Sequence, residues 1–366
     1  MSIKAVMEKK VLIINNTSNG VYLFRRDLIK ELLKDCKVVI LSSDTGRISE
    51  LQDMGCEMII TPIELHGTNV LKEFRLFCLL RKIIKRQNPT VVVTYTIKPN
   101  IYGGIACRIL KMPYASNITG LGTVFEKKGL LQAIVKILYK YALGSARVVF
   151  FENSSNMEFF INERIINSKQ AHLLPGAGVN IEYFTPKPYA HNECIHYLYV
   201  GRIVKDKGFE ELIAASKRLL EEGKNLVLEV IGGLGEDYSE LIAECESEGW
   251  MHYYGKQSDV RSFIASSDCI VLPSYHEGMS NTNLEGAASA RPLITSDIPG
   301  CREAVVEGKS GLLCEPKSVD SLYETMKKMM QLSREEREQM GLAGRRHMEE
   351  SFDKRRVVEM TIRHLF

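Results

Sequence analysis

Leu272-Pro273-Ser274-Tyr275-His276-Glu277-Gly278-Met279-Ser280-Asn281-Thr282-Asn283-Leu284-Glu285 is the stretch whose reading decides the fold. An apolar run, Cys269 to Leu272, precedes it, and a helix-like pattern, Leu284 to Ala290, follows. The segment is therefore the turn of a strand–loop–helix unit. Two carboxylates, Glu277 and Glu285, stand eight residues apart in it. Ser280 is placed to cap the helix, which puts Glu285 in its first turn. A helix N-terminus attracts phosphate through free N–H groups and the positive end of the dipole. A carboxylate accepts two hydroxyl hydrogen bonds, which suits a polyol. A ligand carrying both phosphates and sugar hydroxyls satisfies the whole constellation. The plainer alternative is a buried α/β loop with two incidental acids, Glu285 serving only the helix dipole.

Working outward, Tyr197 to Val200 reads as a strand and Phe209 to Leu220 as a helix. Between them lies Gly201-Arg202-Ile203-Val204-Lys205-Asp206-Lys207-Gly208. Cations after a strand end face a ligand at the carboxyl edge of a sheet. Arginine forks onto two phosphate oxygens and lysine supplies a point charge. The alternative is a solvated basic loop. Gly232, Gly233 and Gly235 follow the strand Leu226–Ile231 without completing G-x-G-x-x-G, so they mark either close approach of backbone to ligand or plain turn chemistry. Strand-like runs near residues 251–254, 293–295 and 311–313 complete the second half. In the first half, strands at Val11–Ile14, Val38–Leu41, Met58–Ile60, Val91–Thr94, Tyr114–Ile118 and Val148–Phe151 alternate with helical patterns. The whole predicts an α/β chain of two Rossmann-like, doubly wound parallel-sheet domains facing across a cleft. The expected domains are 1–186 and 187–352, with the polar stretch Tyr189 to Glu193 as the linker.

The spacing Gly201-Arg202-x4-Lys207-Gly208 together with Glu277-x7-Glu285 resembles the retaining glycosyltransferases of family 4, which have the GT-B fold. Pro175-Gly176-Ala177-Gly178-Val179-Asn180, Thr295 to Glu303 and Glu307 to Leu313 are similar to further stretches of that family. The match covers roughly residues 172–352 most specifically. Tyr95 to Gly103 and Ile118 to Gly122 resemble a bacterial subgroup that extends lipid-linked oligosaccharides for surface polysaccharide and N-glycan assembly. The resemblance implies a nucleotide-sugar donor, UDP-linked, and a polyprenyl-diphosphate-linked saccharide acceptor. It implies catalytic Arg202, Lys207 and Glu277, the cations on the diphosphate and Glu277 positioning the donor sugar. It assigns Glu285, Gly278, Met279, Ser280, Asn281, Gly20, Gly233 and Glu303 to the donor. On the acceptor side it offers Lys98, Gly120 and Gly122. It also sends the C-terminal helix, about residues 353–366, back onto the first domain. The family's histidine near the acceptor has no counterpart in Thr96 to Asn100 or Thr119 to Gly122, so no histidine base carries over. A nucleotide-sugar epimerase, another enzyme of this fold or a transferase with a soluble acceptor are the alternatives.

Composition narrows the partners. A 366-residue chain with 45% hydrophobic and 25% charged residues fits two globular domains. Net charge is +3, which gives no nucleic-acid footprint. Nine cysteines without a C-x-x-C pair indicate neither a zinc ribbon nor a disulfide framework. No D-x-D pair is present to hold a divalent metal across phosphates, so no cofactor or metal is expected. Met1 to Lys10 lacks the apolar core of a signal peptide, and a cytoplasmic protein is expected. Leu71 to Arg86 is a basic amphipathic helix candidate, with Lys72, Arg75, Lys82 and Arg86 on one arc. Phe74, Phe77, Leu80 and Ile84 fall largely opposite, and Leu79 lies inside the basic arc. With the basic, apolar stretch Lys127 to Lys140, it predicts peripheral attachment to the anionic inner face of the cell membrane. The alternative is an ordinary sheet-packing helix. The histidines, among them His66, His172, His191 and His276, are read as structural or solvent-facing.

Overall fold

Val11-Leu12-Ile13-Ile14 is apolar at every position, and all four residues are fully buried. Such a run belongs to a central parallel strand covered on both faces. In the computed structural model, which describes residues 9–63, 69–122, 125, 129–190 and 193–366, it is the heart of β1 (Lys9–Thr17). The chain forms two units, Met1–Ala177 with Arg355–Phe366, and Gly178–Lys354.

In the N-terminal unit the strands are β1, β2 (Cys36–Ser43), β3 (Glu57–Ile60), β4 (Val91–Tyr95), β5 (Tyr114–Ile118), β6 (Val148–Phe151) and β7 (Ala171–Leu173). They form one parallel sheet in the order β3-β2-β1-β4-β5-β6-β7. The order reverses between β1 and β4, the switch point at which such sheets bind ligands beyond their carboxyl ends. The helices are α1 (Ser18–Leu32), α2 (Ile48–Asp53), α3 (Val70–Gln87), α4 (Gly104–Leu110), α5 (Leu130–Leu143) and α6 (Ser154–Asn162). β7 and α6 were not expected from the pattern. One apolar cluster packs Leu80 and Ile84 of α3 and Tyr139 of α5 against Leu12, Val39 and Val92. The other packs Val21, Leu28 and Ile29 of α1 against Val11, Ile13 and Val93, together with Val357, Val358 and Leu365. Those last three belong to the C-terminal helix α13 (Lys354–Leu365), whose end is held by Arg147 donating to the carbonyls of Leu365 and Phe366.

The C-terminal unit holds β8 (Ile195–Val200), β9 (Leu226–Ile231), β10 (Met251–Tyr253), β11 (Cys269–Leu272), β12 (Leu293–Ser296) and β13 (Gly311–Cys314). All pair in parallel, in the order β10-β9-β8-β11-β12-β13, with the reversal between β8 and β11. Its helices are α7 (Phe209–Glu221), α8 (Ser239–Ser247), α9 (Arg261–Ser266), α10 (Asn281–Ala288), α11 (Val319–Gln331) and α12 (Arg334–Ser351). Apolar clusters cover both faces of the sheet.

The division falls at Ala177/Gly178, not at residue 186. Residues 178–186 belong to the second unit because their backbone is tied there. Val179 N–H donates to the Phe352 carbonyl and its own carbonyl accepts from Lys354. Arg345 donates to the carbonyls of Ile181 and Phe184. Beyond Pro186, the fully buried Arg291 fastens Lys187 through its carbonyl at 3.1 Å and stacks 4.0 Å over the Tyr189 ring.

Candidate donor site and the loops of the first unit

The C-terminal unit brings its loop residues together at the switch point. β8 ends at Val200, and Gly201 and Arg202 follow it. β11 ends at Leu272, and Pro273 to Gly278 follow it. The two loops are laced by backbone. Tyr275 N–H donates to the Asp206 carbonyl at 2.8 Å, and Thr282 Oγ1 to the Val200 carbonyl at 3.0 Å. Glycine is required where they touch. Gly208 has φ +69°, and a Cβ there would stand 2.0 Å from the Pro273 carbonyl oxygen. The loop after β9 presses as closely, since a Cβ on Gly232 would fall 1.7 Å from the Gly201 oxygen. Gly235 fits under Val204, whereas Gly233 is open and only its carbonyl is used, by Ile203 N–H. These close approaches are between loops of the protein itself.

Lys207 is held by this lacing. Its ammonium forms an ion pair with Glu277, both side chains being largely buried. Arg202 is exposed and has no carboxylate partner among the described residues. Its carbonyl accepts from the Tyr199 hydroxyl at 2.8 Å. Burial pushes that phenol's pKa up, the Glu277 charge adds to the rise and Arg202 opposes it. Both charges therefore act on one buried hydroxyl. Lys205, the neighbouring cation, pairs instead with Glu210 at 3.5 Å.

Ser280 caps α10 as expected, its hydroxyl accepting from Asn283 N–H at 3.3 Å, and its own N–H donates to the Gly300 carbonyl at 2.7 Å. The helix begins at Asn281, three residues earlier than the apolar pattern indicated. Glu285 therefore lies in the second turn, not the first. It is half-buried there. The amides of Asn281 and Thr282 are left without a protein acceptor among the described residues, as the first turn of a helix leaves them. Met279 is buried beneath this turn. Gly300 has φ +86° and packs against the Glu277 and Gly278 carbonyls. Glu303 Oε2 accepts from Gly300 N–H at 2.7 Å, so one carboxylate oxygen shapes the loop itself. The buried Cys301 thiol has its pKa raised, by burial first and then by Glu277, with Lys207 opposing and Glu303 adding. Arg202, Lys207, Glu277, Gly278, Ser280 and Glu303 thus converge, with the start of α10, at the carboxyl edge of the sheet. Such an arrangement binds an anion through two cations and helix amides and leaves carboxylates for hydroxyl groups.

In the N-terminal unit the corresponding loops are engaged differently. Thr17 caps α1 by accepting from Gly20 N–H at 3.2 Å, and Thr45 Oγ1 accepts from Asn19 N–H at 3.0 Å. The amide of Gly20, which the family resemblance assigns to the donor, already has an acceptor, and so has that of Asn19. Lys98, just after β4, pairs with Glu73 of α3 at 2.6 Å. Gly120 and Gly122 take φ +143° and +69°, and a Cβ on Gly122 would press on Ile97 at 3.0 Å. Their role in the described residues is turn geometry and packing against the loop that carries Lys98. The Glu73 partnership was missed in sequence because it joins different elements. An acid on the inner side of α3 was the available signal.

α3 departs from expectation at one residue. Leu80 and Ile84 are buried and Phe77 is half-buried, but Phe74 is 63% exposed, beside Val70 and Leu71. Leu130, Leu131, Ile134 and Ile137 of α5 are also exposed. His66, Lys127 and His191 lie outside the described residues. The His172 and His364 rings meet at a tilt of 56°, centroids 4.0 Å apart, at the edge strand and α13.

Comparison with known proteins gives the family. The family described as glycosyl transferases group 1 matches residues 186–347. The family described as glycosyl transferase 4-like matches residues 10–153. The chain belongs to these glycosyltransferases. A relative in Campylobacter jejuni, N,N'-diacetylbacillosaminyl-diphospho-undecaprenol alpha-1,3-N-acetylgalactosaminyltransferase, is 28% identical over 338 residues, covering 87% of this chain and 88% of its own. An Escherichia coli relative, UDP-Gal:alpha-D-GlcNAc-diphosphoundecaprenol alpha-1,3-galactosyltransferase, is 24% identical over 310 residues, covering 78% of each chain. Among solved structures, Anabaena HepE in complex with UDP and glucose superposes with a TM-score of 0.80 at 14% identity, covering 98% of this glycosyltransferase and 99% of that chain. The likeness to HepE is one of fold, the GT-B class of two parallel-sheet α/β domains.

Proposed function

We propose that this glycosyltransferase moves a hexose or N-acetylhexosamine from a UDP-sugar, with retention of configuration, to a saccharide on a polyprenyl diphosphate. The observation that carries the reading is the convergence of Arg202, the Lys207–Glu277 pair and the first turn of α10 at one sheet edge. The Campylobacter jejuni and Escherichia coli relatives, named for undecaprenol-diphosphate acceptors, support the acceptor class. In this reading Arg202 and Lys207 hold the donor diphosphate and stabilise the charge that grows on it as the sugar leaves. Glu277 fixes the Lys207 ammonium and positions the donor sugar. Glu285 takes the ribose hydroxyls, and Gly278, Met279, Ser280 and Asn281 line the diphosphate. Gly233 and Glu303 serve the donor by shaping the loops around it.

The same reading makes catalysis independent of a divalent metal, because two cations and helix amides supply the positive charge. Turnover in excess EDTA after metal stripping tests it. The rate should be unchanged; loss of more than about nine-tenths of it, restored by Mg²⁺ or Mn²⁺, contradicts the proposal.

Attachment to the membrane's anionic surface is part of the proposal. Its support is the exposed apolar set Val70, Leu71, Phe74 and Leu79, alternating on α3 with exposed Lys72, Arg75, Lys82 and Arg86. Leu130, Ile134 and Ile137 on α5 are exposed as well. No helix among the described residues is long and apolar enough to cross a membrane.

A further inference from the structure

The loop after β4 is irregular in a way that ordinary sheet connections are not. Thr96 adopts φ +70°, a left-handed conformation that a β-branched residue rarely takes. Pro99–Gly103 then forms a single turn of π-helix before α4. Such turns and strained residues gather at functional sites. The irregular backbone is rigidly held. Asn100, buried, donates to the Asn117 carbonyl at 2.8 Å and accepts from Thr94 Oγ1 at 2.7 Å, and Thr94 bonds Ser116 at 2.9 Å. The result is a fixed Lys98 at the switch point of the N-terminal sheet, where ligands of such sheets bind.

Lys98 faces Glu73, with 13% and 14% of the two side chains exposed. The pair differs from the other enclosed pair of this unit. Arg25 and Glu152, 2.8 Å apart, are completed by the Tyr95 ring 4.5 Å from the guanidinium. Glu73, in contrast, uses one oxygen on Lys98, and its buried Oε2 has no hydrogen-bond partner among the described residues. The neighbouring Tyr102 phenol is buried, which raises its pKa, and the Glu73 charge and a hydrogen bond to that carboxylate raise it further. An enclosed carboxylate with one oxygen unpartnered among the described residues is an expensive counter-ion to keep. An external anion able to replace it would release Glu73 towards solvent and leave Lys98 fully paired.

We propose that Lys98 is the anion site of the N-terminal unit for the diphosphate of the acceptor, and that Glu73 is a built-in competing anion that filters what binds there. The inference rests on the lipid-linked acceptor proposed above. A polyanion such as a diphosphate outcompetes the carboxylate, whereas a singly charged anion does not. Glu73 is a positioning residue: it holds Lys98 in place while the site is empty and sets the charge a ligand must carry.

Inorganic pyrophosphate is the probe, titrated calorimetrically into the full chain carrying Arg202→Ala and Lys207→Ala, which removes the cations of the other unit. Adding Glu73→Gln should tighten pyrophosphate binding by about tenfold or more, because Lys98 is then uncompensated. Adding Lys98→Met should weaken it by at least about tenfold. Glu73→Ala, which places no amide against Tyr102, must tighten binding in the same way, and circular dichroism checks that each variant folds. Unchanged affinity on removing the Glu73 charge, or full affinity without Lys98, overturns the inference. A chain that uses a lipid-linked acceptor but fails the pyrophosphate test keeps the acceptor reading and loses only this one. A chain that passes the pyrophosphate test but prefers a lipid-free acceptor loses the acceptor reading, and with it the assignment of this site to that ligand.

Discussion

Both sheets reverse their strand order beside the first strand of the unit, yet the loops at the two reversals are made differently. In the C-terminal unit the loops after β8, β9 and β11 are pressed together through glycines; Lys207 pairs with Glu277, and Arg202 is exposed with no carboxylate partner among the described residues. In the N-terminal unit the amides at the start of α1 already have acceptors in Thr17 and Thr45, and Lys98 has a carboxylate. In the proposed reading the first arrangement keeps the Arg202 guanidinium open to an anion. The second is occupied by the protein's own groups until something displaces them. A donor diphosphate shared by many reactions suits a fixed site built from backbone. Recognition of a particular acceptor suits a site whose counter-ion can be exchanged.

The largest effect should come from the C-terminal unit's site. Lys207→Ala should lower kcat by roughly one hundred to one thousandfold, since its charge acts on the leaving diphosphate, and should lower stability by up to about 3 kcal/mol, because the enclosed Glu277 loses its partner. Glu285→Ala should instead raise the donor KM more than it lowers kcat. Steady-state kinetics of both variants sharpen the comparison; near-normal values for both would break it.

Next in size is the apolar and basic face of α3. Arg75, Lys82 and Arg86 each contribute about 1 kcal/mol near an anionic surface, so reversing all three to Glu should reduce vesicle binding by about one hundredfold or more. Co-sedimentation with vesicles of rising anionic content, at low and high salt, measures it. Wild-type protein that ignores anionic vesicles at low salt would remove the membrane from the account.

The smallest expected effect tests the backbone lacing. Gly208→Ala forces a left-handed alanine and sets its Cβ on the Pro273 carbonyl, which should cost about 2–3 kcal/mol. Urea unfolding reads that loss. The same substitution at Gly223, which also has positive φ but open space around its Cβ position, should cost only about 1 kcal/mol.

Much of the C-terminal unit was legible because its constraints are local. The Ser280 cap, the Gly208 turn and the two carboxylates of 277 and 285 each sit within one loop, and spacing alone exposes them. The fully apolar parallel strands were equally clear in both units. Arg291 was not, since an arginine reads as surface until a fold supplies carbonyls such as those of Ser267 and Ala265 around it. β7 was missed because Ala171-His172-Leu173 is a short edge strand whose residues are partly exposed. The unit boundary was misplaced because residues 178–186 gain their partners from residues 345–354, far along the chain. The Glu73–Lys98 pair was hidden for the same reason: its members come from separate elements. Helical spacing puts Phe74 on one side with Phe77, Leu80 and Ile84, but only the middle and end of α3 are buried, at Leu80 and Ile84, and Phe74 is exposed.

The most direct test of the central claim follows one anomeric centre. The full chain is incubated with an α-linked UDP-sugar labelled with ¹³C at C1 and a polyprenyl-diphosphate-linked saccharide, and the product linkage is read by NMR. The account predicts an α-linked product from wild-type protein and little or none from Lys207→Ala in the same time. A β-linked product would contradict retention. An α-linked product formed equally fast by Lys207→Ala would contradict the site.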